Sequence, residues 1–149
     1  MLTLSKKSSL ALEAVLDVAY NSRPHPVQSR DITKRQGIPQ RYLEQILQRL
    51  VKAGVLKGVR GPRGGYTLAK ERRRITLGEV LRVIDQMRDE DEEPPTHSPL
   101  GEIIIAPIRE AVQKELLEKF DEITMEDLCN QALEAGIGRS GKDPNDYTI

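Results

Sequence analysis

Between Lys6 and Tyr20 apolar residues recur at Leu12, Val15, Leu16 and Ala19, the spacing of one helical stripe, with Ser5 ahead of them as an N-cap. After the break "SRPHPV", Ser29 offers a second N-cap and Asp31 a carboxylate in the first turn, which predicts a short helix over "RDITKRQ" ending at Gly37. Pro39 suits the first position of a third helix, running to Gly54. One face of it carries Leu43, Ile46, Leu47, Leu50 and Val51, and the other Gln40, Arg41, Gln45, Gln48, Arg49 and Lys52. Two β-prone runs, residues 55–60 and 65–70, then bracket "GPRG" and predict a hairpin. A capping box of Thr76 and Glu79 opens a fourth helix with Leu77, Val80, Leu81 and Ile84 on its stripe.

Further on, Ile104, Ile108, Val112, Leu116 and Phe120 recur every four residues, flanked by Ile105, Ala111 and Leu117. That pattern predicts a long helix, which Pro107 either kinks or begins. A second capping box, Thr124 with Asp127, opens a last short helix through Leu133. A short helix, a Gly-containing turn and a helix with a polar face form a helix-turn-helix signature, so the fold class expected is mainly α with a small β-hairpin wing. Residues 1–88 are expected to form that winged helix-turn-helix domain and 89–99 an acidic linker. Residues 100–135 would hold a dimerisation helix and a short helix, and 136–149 a flexible tail. The stripe from Ile104 to Phe120 needs a covering surface, and the simplest one is a second copy of the chain in a symmetric homodimer.

Charge sharpens this picture. Residues 1–74 hold 16 Lys/Arg against 5 Asp/Glu, and residues 75–149 hold 7 against 18, so a formal net charge of zero hides a basic half joined to an acidic one. A basic half favours a polyanionic partner, because neutralised phosphates release their counterions. Aromatic content is 3% and Trp is absent, so the core must be aliphatic. A single cysteine, Cys129, excludes an internal disulfide framework and fits a reducing compartment. The stretch Leu10 to Ala19 after Lys6 and Lys7 imitates a signal peptide, but Glu13 and Asp17 interrupt it. No membrane partner is expected, and the reading is a cytoplasmic protein.

The hairpin decides between partners. Its sequence "GVRGPRGG" lacks the Gly-Lys-Ser/Thr ending of a P-loop and the spacing of G-x-G-x-x-G, and Tyr66 alone is too few aromatics for base stacking on RNA. Placed directly after a recognition helix, it reads as a wing. Gly61, Gly64 and Gly65 would allow close approach of the backbone to double-stranded DNA, and Arg60 and Arg63 would reach phosphates or a narrow minor groove. The plain alternative is a solvated surface hairpin. Gln40, Arg41, Gln45 and Arg49 suit purine edges and phosphates, and Ser29 opens the helix beside them. No carboxylate pair, histidine dyad or activated nucleophile stands at catalytic spacing, so no enzyme is expected.

"RYLEQILQRLVKAGVLKGVRGPRGGYTLAK" followed by "ITLGEVLRVID" resembles the winged helix-turn-helix regulators of the bacterial IscR/NsrR/CymR family, the Rrf type, with similarity from about residue 4 to 86 and more loosely at 123–128. The resemblance implies a homodimeric transcriptional regulator, a repressor, crossed by its long helices and bound to a partly palindromic operator. It implies Gln40, Arg41, Tyr42 and Gln45 in the major groove and Arg60 in the minor groove. Glu44 resembles a position that tunes base preference, although an exposed helix carboxylate is an equal reading. Ser9 and Leu10 stand where relatives often carry a basic residue and a tyrosine. Iron-sulfur members hold a cluster with three cysteines between the fourth helix and the long helix, and residues 86–104 contain none here. Cys129 reads as a small core residue, and His25 and His97 are lone loop histidines, so no cofactor and no metal is expected. What remains resembles the cluster-free, CymR-like branch, in which an effector or partner protein is sensed. The alternative reading is a protein-interaction subunit whose acidic C-terminal half docks an enzyme, for example of cysteine metabolism, with DNA binding secondary.

Overall fold

Helix α1, Lys6–Asn21, starts where the Ser5 hydroxyl accepts the Ser8 N–H, as its sequence predicts. Its buried face is Ala11, Ala14, Val15 and Val18, whereas the expected Leu12, Leu16 and Ala19 are only half-buried around it. The shift follows from its position, because α1 packs against four other helices and a strand, and the small alanines allow that close approach. The computed structural model describes residues 4–87 and 97–139. The expected acidic linker therefore lies outside the described residues from 89 to 96, and the expected tail from 140 to 149.

Helix α2, Ser29–Gln36, begins one residue earlier than expected: Gln28 holds the N-cap position and Ser29 is the first helical residue. The reason is upstream, where Val27 is held in an extended bridge to Tyr66 and Gln28 stays extended after it. Helix α3, Gln40–Lys52, is capped by Pro39, whose carbonyl accepts the first helical N–H from Leu43 at 2.9 Å. Leu43, Ile46, Leu47 and Leu50 of α3 are fully buried, while Val51, on the same predicted stripe, is 36% exposed at the helix end. Each buried Leu or Ile contributes about 2 kcal/mol against about 1 kcal/mol for a side-chain cap. Packing, not local propensity, therefore holds α3 in place.

The hairpin is shorter than the sequence runs suggest. Strand β1, Leu56–Val59, pairs antiparallel with β2, Gly65–Leu68, in the register Leu56 to Leu68 and Val59 to Gly65. A 3₁₀ turn, Arg72–Arg74, leads to helix α4, Leu77–Asp85. Thr76 accepts the Glu79 N–H as expected, but the Glu79 carboxylate turns away to Lys70 Nζ at 2.7 Å, so only half of the predicted capping box forms.

A π-helical segment, Leu100–Ile105, runs directly into helix α5, Ala106–Phe120, with Pro107 in its first turn. Pro107 thus marks the start of the α-helical part: the Ala106 N–H reaches Gly101 five residues back, the π spacing, just before the residue that has no N–H. Helix α6, Met125–Glu134, opens with the complete predicted capping box of Thr124 and Asp127. It returns to the main core, where Met125 is fully buried and Thr76 bridges Thr124. No helix among the described residues is long and apolar enough to cross a membrane.

Candidate nucleic-acid interface

Helices α2 and α3 are set by a buried charge. The Asp17 side chain of α1, with no exposed surface, accepts from Arg35 Nε at 2.9 Å, Arg35 Nη2 at 2.7 Å and Gln36 Nε2 at 2.8 Å. The hydrogen bond to Asp17 is the main reason why the Arg35 guanidinium holds its proton more tightly than usual. This fork pins the end of α2 to α1, and Ile38, in the turn between α2 and α3, is fully buried in the core. In the sequence Asp17 shows only as an interruption of an apolar stretch.

With α3 fixed, its outer face is free. Gln40, Arg41, Glu44, Gln45 and Gln48 are exposed, and Gln40 Nε2 donates to Glu44 Oε1 at 3.3 Å. Arg49 is half-buried further along the helix. Tyr42 is half-buried too, packed against the core. Ser29 is half-buried at the start of α2, next to the exposed Arg30.

The wing stands beside this face. Its base is tied to the segment before α2, because Val27 and Tyr66 exchange two backbone hydrogen bonds, at 2.9 and 2.7 Å. Tyr66 in turn faces α3. Burial first, and the Glu44 carboxylate second, push the Tyr66 phenol above its ordinary range, so it stays a neutral hydroxyl at physiological pH. Glu44 at the start of α3 is thus near enough to the root of the wing to act on Tyr66, and α3 packs against β1 of the same hairpin. At the tip, Arg60, Gly61, Pro62 and Arg63 are exposed. Gly64 is not. It is buried against the loop backbone, where a Cβ would lie 2.2 Å from the Val59 carbonyl oxygen, so the close turn requires a glycine there. Gly65 is likewise pressed against Val27, with φ +156° and only 2.4 Å between a built Cβ and the Val27 oxygen. Lys34 on α2 and Lys57 on β1 are exposed as well. The charge excess of the first half was their signal in the sequence.

Away from this surface, Ile104, Ile108, Val112 and Leu116 are 51%, 59%, 48% and 52% exposed, so the stripe is uncovered in the single chain. Phe120, expected on the same stripe, instead packs against the main core, because α5 meets α4 at this end. There Arg82 forks onto Asp121 at 2.5 and 2.8 Å, a hydrogen bond that holds the Asp121 carboxyl below its usual range. Cys129 is buried on α6, and that burial is the main cause raising its thiol above the usual range.

Comparison with known proteins agrees with this geometry. The family model Rrf2, described as an iron-dependent transcriptional regulator, matches residues 4–131. The chain is 48% identical over 86 residues to the HTH-type transcriptional regulator IscR of Escherichia coli strain K12 / DH10B, a stretch covering 58% of this chain and 53% of that protein. The match thus spans about half the length of the curated relatives. Among solved structures, T. potens IscR superposes with a TM-score of 0.71 at 33% identity, covering 93% of this chain and 94% of that one. CymR (YrzC), the global cysteine regulator of B. subtilis, superposes with a TM-score of 0.65 at 30% identity, covering 88% and 98%.

Proposed function

The chain belongs to the Rrf2 family of transcriptional regulators, and from that premise we propose that it is a homodimeric, sequence-specific DNA-binding repressor. The observation that carries the reading is the juxtaposition of the exposed polar face of α3 with the arginine-tipped wing, joined through Tyr66 to both Val27 and the neighbourhood of Glu44. In this reading Gln40, Arg41 and Gln45 read purine edges in the major groove, and Arg60 and Arg63 hold phosphates or enter the minor groove. Glu44 sets base preference by repelling bases that offer only acceptors. Ser29, Arg49 and the backbone at Gly61 flank these contacts, and Tyr42 reaches a phosphate with its hydroxyl. A second copy covers Ile104, Ile108, Val112 and Leu116, which puts two α3 helices on one face of the duplex and makes the operator an inverted repeat.

The iron of the family description does not fit the donors of this chain. A cluster requires several thiolates, and the sequence supplies one cysteine, buried in the core with its thiol held protonated. We therefore read the regulator as one that works without a cysteine-held cluster.

Selection of binding sites from a random duplex pool with the purified protein tests the reading. Enrichment of an inverted repeat with half-sites about 34 Å apart, or a multiple of that, is expected. Salt-sensitive retention without any enriched sequence would contradict it. Transcription in vitro from a promoter carrying the enriched site should fall on adding the protein, and a rise would make it an activator.

A further inference from the structure

A cleft of about 620 Å³ opens where the end of α1, strand β2, the 3₁₀ turn and the segment after α6 meet. Five cations line it, Arg23, Lys70, Arg72, Arg73 and Arg139, against two carboxylates, Glu71 and Glu126. Three of the cations are engaged in the chain: Lys70 with Glu79 at 2.7 Å, Arg73 with Glu71 at 2.5 Å, and Arg72 with Glu126 at a loose 3.9 Å. Arg23 and Arg139 make no ion pair among the described residues.

Arg139 carries a second, independent signal. Its Nε is buried and has no hydrogen-bond partner, while its guanidinium lies 5.2 Å from the centre of the Tyr20 ring. A buried, unpartnered, charged N–H is costly, and an oxyanion is the group that relieves it. The volume falls within the range of small-molecule pockets, and the carboxylates among the cations disfavour a DNA backbone at the same place.

We propose that this cleft is a binding site for a small organic polyanion, one carrying two or three carboxylate or phosphoryl groups to match the excess of positive charge. Arg139 and Arg23 are its main ligands and Tyr20 supports the Arg139 guanidinium from behind. Thr67 and Leu68 of β2, whose far end carries the wing, form part of the wall, and so does Glu126 of α6. The occupant would thus touch both the wing strand and the C-terminal arm.

Calorimetric titration of the full chain with citrate and, separately, with inorganic pyrophosphate tests this, with sodium chloride holding the ionic strength constant. Saturable binding of at least one probe is expected, and the better probe identifies a carboxylate or a phosphoryl ligand. Arg139→Gln and Arg23→Gln should each weaken it about tenfold, the loss of one charge-assisted contact, while Arg60→Gln on the wing leaves it unchanged. Arg23→Gln keeps the stacking on Tyr20 intact, so it decides the matter if Arg139→Gln fails to fold. No saturable heat with either probe, or equal weakening by Arg60→Gln, would overturn the proposal. The titration contains no DNA, so its outcome is separate from the fate of the DNA-binding reading.

Discussion

At Asp17 a carboxylate without exposed surface satisfies two donors of Arg35 and one of Gln36. Removing it leaves those donors unpaired at a helix junction, so Asp17→Ala is expected to cost about 2–4 kcal/mol in urea unfolding. A change below about 0.5 kcal/mol would show the fork to be dispensable. The partners lie 18 and 19 residues downstream on another helix, which is why the sequence shows the carboxylate but not what it does. Tyr66 was legible only as a lone aromatic, since its two neighbours come from elements before and between. Burial and Glu44 both disfavour the phenolate, so the folded value is raised above 10.0. Its contribution to stability is complete below the unfolded value and is lost as pH rises through the folded one. Glu44→Gln should lower the Tyr66 midpoint yet leave it above the ordinary range, because burial is the larger cause. Absorbance titration against Tyr66→Phe checks this, and an unmoved midpoint would separate Glu44 from the wing.

The elements are legible in the sequence where the pattern is local. Apolar period, Ser5 and the Thr124–Asp127 pair place α1, α3 and α6 within a residue or two. They are less legible where a distant part of the backbone decides. Val27 joins the hairpin through a bridge that no propensity announces, and that bridge moves the cap of α2 from Ser29 to Gln28. Glu79 leaves its predicted cap because Lys70, nine residues back, is brought beside it. The glycines of the wing divide in the same way. Gly61 meets open space, whereas Gly64 is closed in by the Val59 oxygen. Gly64→Ala is therefore expected to open the turn and weaken the proposed DNA binding at least tenfold with little effect on global unfolding, read by fluorescence anisotropy and thermal melting together. Unchanged affinity would mean that the shape of the wing is irrelevant to binding.

Across the whole molecule, the uncovered face of α5 and the separation of charge between the halves are the features that ask for partners. The proposed homodimer would bury Ile108 and Val112, so Ile108→Glu should yield monomers in sedimentation equilibrium and cost DNA affinity through lost pairing of half-sites. A dimer that survives the substitution would place the interface elsewhere. The stripe was visible in the sequence as a four-residue repeat. The departure of Phe120 from it was not, because only the crossing of α5 over α4 puts that end against the core. The surface that defines the molecule in this reading is α3 with the wing, and one measurement addresses it directly: the affinity for the selected duplex as a function of salt, with the native protein and with Arg60→Ala. About eight phosphate contacts per dimer give an expected slope of log affinity on log salt of about −7, falling in magnitude by about 2 when both copies lose Arg60. An identical slope and affinity for the two proteins would contradict it, since the wing would then not touch DNA.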